Sequence, residues 1–202
     1  FPTRRSSDLV NIKINHEISQ TSRIQLLLFG MSATRHSVGN INSILVPDTI
    51  NKLTGQFIPR DLSTDKYKNM GAELSYLKHY RIAGIRQTIS TGLRIFNGQT
   101  QRFQKGVGST GIDANFTTAL PFPVELKFNT MNFAWFAEQI IRINSRLIVI
   151  PGARLESIQS TVNGRLGFAS TGEAIPVQAN PFHRKFLLGG LSAEYHLKNG
   201  FE

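Results

Sequence analysis

Cysteine is absent from the 202-residue sequence, which excludes a disulfide framework, a cysteine-ligated zinc site and a thiol nucleophile. No run of 18 apolar residues occurs, so the sequence predicts no transmembrane helix. Lys and Arg number 23 against 13 Asp and Glu, yet no run of five basic residues forms a nucleic-acid-binding tail. The net charge of +10 therefore favours an anionic partner other than nucleic acid.

Motifs that carry catalysis or metal binding are also missing. No G-x-S-x-G pattern occurs, and the five histidines show no H-E-x-x-H spacing. GVGSTG at 106–111 fits G-x-G-x-x-G, but a dinucleotide site needs a helix directly after it. Pro121 and Pro123 disfavour that helix. The sequence therefore predicts a loop at 106–111, no enzyme activity, no cofactor and no metal site.

The first nine residues, FPTRRSSDL, match the translation of a common sequencing adapter. We interpret residues 1–9 as an assembly artefact and exclude them from fold reasoning; the alternative is a short basic N-terminal arm. The last residues, KNGFE, show no pattern that terminates a structural element. We therefore expect residues 10–202 to be part of a longer protein.

Alternation of apolar and polar residues with a period of two dominates the chain, and few segments repeat with the helical period. In residues 85–98, for example, Leu93 and Ile95 alternate with Arg94. The pattern predicts an all-β, antiparallel fold. Seven strands are expected: 10–18, 23–39, 66–80, 85–98, one on each side of 143–146, and 183–197.

The connections between these strands alternate in length. Short turns of roughly four residues separate the long loops 40–66, 99–125 and 163–182, and up-and-down barrels of the outer membrane have the same asymmetry. A soluble sandwich has no reason to sort its loops by length in this way. The sequence therefore predicts a transmembrane β-barrel wall with short periplasmic turns and long external loops.

Three segments place glycine in the middle of a strand, with a polar residue two positions later on the same face: 90–96, 150–156 and 188–194. The opposite face is apolar, which is the alternation of a barrel wall with a polar interior. Phe133 and Trp135 lie on the outward face of the fifth strand, where we expect an aromatic girdle. The main outward positions are Leu93, Leu155, Leu187, Leu191 and Tyr195.

Five arginines are candidate ligand-binding residues, and we expect them toward the loop ends of the strands: Arg35, Arg94, Arg102, Arg154 and Arg184. A guanidinium binds a carboxylate through two parallel hydrogen bonds, so such a cluster attracts an anionic ligand. In the alternative interpretation these arginines pair with glutamates of neighbouring strands, such as Glu138, Glu156 and Glu194, and are structural.

The stretch at 132–158, NFAWFAEQIIRINSRLIVIPGARLESI, resembles the barrel wall of TonB-dependent outer-membrane receptors. The family pattern is N-x-A-x-F-A-E, a short turn, and then x-x-P-G-x-R-x-E. The matching residues are Asn132, Ala134, Phe136, Ala137, Glu138, Pro151, Gly152, Arg154 and Glu156. Residues 91–102 and 183–197 resemble further strands of the family. The resemblance covers residues 10–202 and is strongest to iron-chelate receptors of the ferric-citrate type.

The resemblance implies about seven strands of a 22-stranded barrel. The N-terminal plug, the TonB-contacting box and the closing strand of the barrel are missing from this sequence. The intact protein is expected to be a monomer in the outer membrane of a Gram-negative bacterium. It would import a siderophore or ferric citrate with energy from TonB. The implied partners are the ferric chelate, the TonB complex through the plug, and outer-membrane lipid.

Two other functions fit the residues. A passive porin or an adhesin would use a barrel without a plug. A soluble all-β module that binds polyanions would bury the outward positions, such as Leu93 and Leu155, against a second sheet. In either barrel, seven strands leave two edges unpaired, so we expect the isolated fragment not to insert stably into a membrane.

Overall fold

The computed structural model describes residues 3–43, 45–112, 115–118, 120–179 and 181–197. Within these residues the chain forms one antiparallel sheet and no helix. The strands pair in sequence order from β1 to β7. β8 also pairs with β6, along the same edge of β6 as β7. The strands are β1 (Thr3–Ser19), β2 (Ser22–Gly39), β3 (Asp61–Ile82), β4 (Ile85–Val107), β5 (Val124–Arg142), β6 (Leu147–Phe168), β7 (Ala174–Pro176) and β8 (Phe182–Tyr195).

The predicted alternation of connections is confirmed. Short turns at 20–21, 83–84 and 143–146 lie at one end of the sheet, here called the turn end. Longer connections at 40–60, 108–123 and 169–181 lie at the opposite end, called the loop end.

The strands extend further toward the loop end than predicted, which shortens the loops. β3 begins at Asp61 instead of 66, β4 continues to Val107 instead of 98, and β6 continues to Phe168. Their loop-end segments are polar on both faces, as in the paired residues Gln101 and Lys127. The alternation of apolar and polar residues is therefore weak in these segments, although the backbone hydrogen bonds between the strands continue.

The turn between β3 and β4 shows how the short connections are built. Ala83 and Gly84 both have positive φ, 49° and 79°, which is the conformation of a two-residue type I′ hairpin turn. This turn matches the right-handed twist of the flanking strands, so β3 and β4 pair from Ile82 and Ile85 onward.

The sheet is open in the part of the chain that the structure describes. β1 pairs only with β2, and the far edge is formed by β7 and β8. The short β7 was not predicted, since three residues carry no periodicity. β1 begins at Thr3, and Thr3–Leu9 pairs with Met31–Ser37. The interpretation of residues 1–9 as an artefact stays a prediction.

One face of the sheet is apolar and is called the apolar face. A continuous row of apolar side chains crosses seven strands at one height: Ile14, Leu26, Leu74, Leu93, Trp135, Leu155 and Leu187. These side chains are not covered: Leu93 is 44% exposed, Leu155 46% and Leu187 73%. The described residues form no second sheet over these positions, whereas the soluble module would bury them.

The apolar face has a defined height. On β5 it runs from Met131 to Ile141, and toward the loop end the next row is polar, with Gln99, Asn129 and Thr161 side by side. Residues 131–141 number 141 − 131 + 1 = 11. A strand of about 9–11 residues is the length that crosses a membrane core. No described residue belongs to a helix long and apolar enough to cross a membrane.

Phe133 and Trp135 lie on the apolar face as predicted, but near the middle of this band. Its turn-end margin carries Tyr80, whose hydroxyl accepts a hydrogen bond from Gln139 Nε2 at 2.9 Å. An aromatic girdle lies at the margin of an apolar band, because a tyrosine or tryptophan ring there can keep its polar atom in water. Tyr80 therefore fits a girdle better than Trp135.

Candidate ligand-binding face

The opposite face of the sheet, the polar face, carries the candidate arginines. Near the loop end, Arg35 of β2, Asp65 of β3 and Arg102 of β4 lie directly opposite one another in register. Arg102 Nε donates to Asp65 Oδ1 at 2.9 Å, and an Arg35 guanidinium nitrogen donates to Oδ2. One carboxylate thus joins two guanidinium groups across three strands.

Asp65 is enclosed, whereas its two partners are open to solvent. Its side chain is 2% exposed, against 41% for Arg35 and 37% for Arg102. Tyr67, two residues along β3, also donates its hydroxyl to Asp65 Oδ2 at 3.3 Å. The carboxylate therefore orients the arginines while other guanidinium N–H groups remain free for a ligand.

The cluster has a net charge of +1, from two guanidinium groups and one carboxylate. It lies beyond the apolar band, at the loop end of the strands. The hydrogen bond to Asp65 raises the pKa of Arg102 above its ordinary value and outweighs the opposing effect of burial. The Arg102 guanidinium therefore stays charged at any physiological pH.

Arg94 and Arg154 do not lie at the loop end, and that part of the prediction is wrong. Arg94 is near the middle of β4, and Arg154 lies closer to the turn end of β6. Only Arg35, Arg102 and Arg184 occupy loop-end positions. The sequence placed the other two incorrectly because the polar ends of β4 and β6 looked like loops.

Both of these wall arginines pair with carboxylates and stack on rings. Arg94 lies 3.8 Å from Glu73 and covers the ring of Phe29, and Arg154 contacts Glu156 on its own strand. Asn132 donates to the same glutamate at 3.4 Å. These contacts support the structural interpretation for Arg94 and Arg154.

Arg184 stands apart from the other candidates. It lies on β8 at the loop end, where its guanidinium covers the ring of Phe182 at 4.1 Å. Within the described residues it has no carboxylate at ion-pairing distance. Its charge is therefore available, but the site is not enclosed.

Arg60 is a further loop-end residue that sequence reasoning did not identify. Its guanidinium donates to both carboxylate oxygens of Asp48, at 2.7 and 2.8 Å, and to the carbonyl of Gly111 at 3.1 Å. The Arg60 backbone also bonds to Ser109 and Gly108. The loops 40–60 and 108–123 are thereby joined above the strands.

No signal in the sequence singled out Asp65 or Arg60. Both lie at the margin of segments that read as loops, and their charged partners and the Gly111 carbonyl are 12 to 51 residues away in the chain. Only the register of β2, β3 and β4 brings Asp65 next to Arg35 and Arg102. No group of three His, Asp or Glu side chains in the described ranges could hold a metal ion.

Neither a protein-family model nor a curated protein matches the sequence. Solved structures do match the fold. The unliganded ferric citrate transporter FecA aligns with 98% of this chain at a TM-score of 0.74 and 18% identity. The ferric-catecholate import receptor Fiu of E. coli K12 aligns with 97% at 0.74 and 11% identity. The siderophore receptor PiuA of Acinetobacter baumannii aligns with 94% at 0.64 and 14% identity.

The aligned region is 26%, 31% and 30% of those three chains, so this sequence spans less than a third of their length. At these identities the likeness concerns the fold. The antiparallel order, the sorted connections and the two distinct faces agree with it. The chain therefore has the fold of a segment of the barrel wall of TonB-dependent iron-chelate receptors, as its resemblance to that family predicts.

Proposed function

We propose that this sequence is part of an outer-membrane receptor that imports an anionic ferric chelate, a siderophore or ferric citrate. The observation that carries the proposal is the Arg35–Asp65–Arg102 cluster at the loop end of the polar face. The fold of iron-chelate receptors supplies the context. In a closed barrel the apolar face contacts lipid and the polar face lines the interior.

The cluster supports capture of a carboxylate-rich ligand. Asp65 occupies Arg102 Nε and one Arg35 nitrogen, which leaves other N–H donors on each guanidinium. Two fixed guanidinium groups in one row bind a multiply charged anion with less loss of side-chain entropy than two mobile ones. Arg184 lies at the same end and extends the positive potential that attracts the ligand.

The remaining parts of the mechanism lie outside this sequence. We propose that a plug domain fills the barrel of the intact protein and that the TonB complex supplies the energy for release into the periplasm. Residues 10–202 would then be about a third of a monomeric receptor in a Gram-negative outer membrane. Arg94 and Arg154 act in this proposal as wall residues, since Glu73 and Glu156 already neutralise them.

Ferric-chelate binding and uptake by the intact receptor test the proposal. We expect Arg35→Gln together with Arg102→Gln to weaken ferric citrate or siderophore binding at least ten-fold, because one charge-assisted hydrogen bond contributes about 1.5–3 kcal/mol. Lys127→Gln is the matched control, because Lys127 lies one row from Arg102 on the opposite face. Wild-type binding by the double variant would remove the cluster from the site.

Uptake in cells with and without TonB separates active import from passive diffusion. Uptake that requires TonB supports the receptor, and uptake that is equal in both strains supports a porin. A receptor barrel and a porin barrel both have an apolar and a polar face, so the requirement for TonB is what distinguishes the two functions.

A further inference from the structure

A row of three arginines crosses the turn end of the polar face and takes no part in the proposed chelate site. Arg81 of β3 lies directly opposite Arg86 of β4, and Arg86 lies directly opposite Arg142 of β5. Neighbouring strands are about 4.8 Å apart, so the three backbone positions lie within about 10 Å. Like charges placed directly opposite each other destabilise a sheet.

No carboxylate neutralises this row. Within the described residues, none of the three guanidinium groups makes an ion pair, in contrast to Arg35, Arg94, Arg102 and Arg154. Glu194 lies in the same row, two strands beyond Arg142, but it pairs with His196 at 2.7 Å. On β5 itself the nearest carboxylate of the same face is Glu138, 142 − 138 = 4 residues from Arg142. Four residues of strand correspond to about 13 Å, which is beyond ion-pairing distance.

The row borders a pocket with further hydrogen-bonding groups. The pocket has a volume of about 550 Å³, and its lining includes the three arginines together with His79, Thr21 and Thr88. His79 Nδ1 is hydrogen-bonded to Thr88 Oγ1 at 2.8 Å, which leaves Nε2 for another partner. The pocket therefore combines three guanidinium groups with hydroxyl and imidazole groups.

We propose that this pocket binds a phosphate-bearing anion at the turn end of the protein. A phosphate group has three strong acceptor oxygens and a charge near −2, so it can accept from several guanidinium forks at once. An extended acidic peptide fits less well. Its carboxylates on one face follow the direction of the peptide chain, whereas the three arginines lie side by side on three neighbouring strands. In the proposed function the polar face lines the barrel interior, so the phosphate belongs to a soluble compound and not to a lipid headgroup.

The test uses the intact protein that contains this sequence, purified in an uncharged, phosphate-free detergent. Pyrophosphate binding is measured by calorimetry, and retention of cardiolipin against uncharged diacylglycerol is measured by native mass spectrometry. The test variant carries Arg81→Gln, Arg86→Gln and Arg142→Gln. The charge-matched control carries Lys52→Gln, Lys127→Gln and Arg146→Gln, three basic residues that do not line the pocket.

We expect the test variant to bind at least ten-fold more weakly than the wild type and the control to be unchanged. Selective loss for pyrophosphate supports the proposal, and loss for cardiolipin alone overturns it, because a lipid headgroup does not reach the interior face. No binding of either probe, equal binding by all three proteins, or binding only of a polyglutamate peptide overturns the proposal. Ferric-chelate uptake is not a readout, so this test and the test of the receptor function fail independently.

Folding of each variant is checked by the change in electrophoretic mobility on heating. Arg86 pairs with both other arginines, so Arg86→Gln alone replaces the triple variant if that variant does not fold.

Discussion

Asp65 and Arg102 face each other across β3 and β4, with 2.9 Å between Asp65 Oδ1 and Arg102 Nε. The carboxylate is almost fully enclosed, and the guanidinium is exposed for more than a third of its surface. The enclosed carboxylate of Asp65 therefore holds the partly exposed guanidinium of Arg102 in position. The loop end of the polar face therefore offers cationic donors on guanidinium groups that a carboxylate holds in place.

Removing the charge of Asp65 should destabilise the loop end. In Asp65→Asn, Arg35 and Arg102 lose their shared counter-ion and repel each other across β3. Loss of a partner from a buried ion pair is strongly destabilising, but both arginines are partly solvated, so we expect about 2 kcal/mol. Urea-dependent unfolding of the intact protein measures the change.

Glu173→Gln serves as the control for this variant, because Glu173 is an exposed residue of the loop 169–181 and makes no ion pair in the described residues. An unfolding midpoint for Asp65→Asn equal to that of the control would show that Asp65 does not hold the cluster.

Gly71 should tolerate no side chain. A Cβ atom at this position would lie 2.4 Å from Phe29 Cζ and 2.6 Å from the carbonyl oxygen of Ile95, both well inside contact distance. We expect Gly71→Ala to lower the free energy of unfolding by about 1–3 kcal/mol, the usual effect of overpacking. Thermal unfolding of the intact protein, followed by circular dichroism, provides the measurement.

Gly189→Ala on β8 is the matched control, since nothing lies within 4 Å of its added Cβ. Equal stability of the two alanine variants would contradict the close packing of the Phe29 ring over Gly71.

The period-two pattern was sufficient to predict the fold wherever one face is apolar. The alternation around Leu93 and Leu155 predicted that both residues lie on the outward face, and in the structure both lie on the apolar face. The pattern failed at the loop end, where residues such as Gln101 and Lys127 pair although neither face is apolar. Backbone hydrogen bonds stabilise the ladder there, and they leave no trace in side-chain hydropathy.

The candidate site was predicted in part for the same reason. Arg35 and Arg102 were selected as basic residues near strand ends, but their common partner Asp65 depends on the register of three strands. A register shift of one residue would turn Asp65 to the other face. Long-range register is not encoded in local composition, so the sequence alone could not identify the carboxylate that orients the arginines.

The joint between the two longest loops should depend on Arg60. In Arg60→Ala, Asp48 and the Gly111 carbonyl lose their shared donor, so the loops 40–60 and 108–123 separate. We expect proteinase K, which needs no basic residue, to cleave within these loops at least ten-fold faster, since cleavage follows local opening, while the strands stay resistant. Mass spectrometry of the fragments locates each cut.

Lys52→Ala is the control for Arg60→Ala, because Lys52 is an exposed basic residue of the same loop. Cleavage of the two variants at the same rate would mean that the loops are held together by other contacts.

A charge on the apolar face should be harmful only within the apolar band. Leu93 lies in the continuous apolar row, and Gln99 lies on the same face of β4 beyond the band. If lipid covers the band, Leu93→Arg destabilises the folded protein in liposomes by about 2–4 kcal/mol, whereas Gln99→Arg changes stability by less than about 1 kcal/mol. Refolding titrations in urea and phospholipid measure both. The same penalty for the two variants would contradict a lipid boundary between Leu93 and Gln99, and no penalty for either would place the apolar face in water.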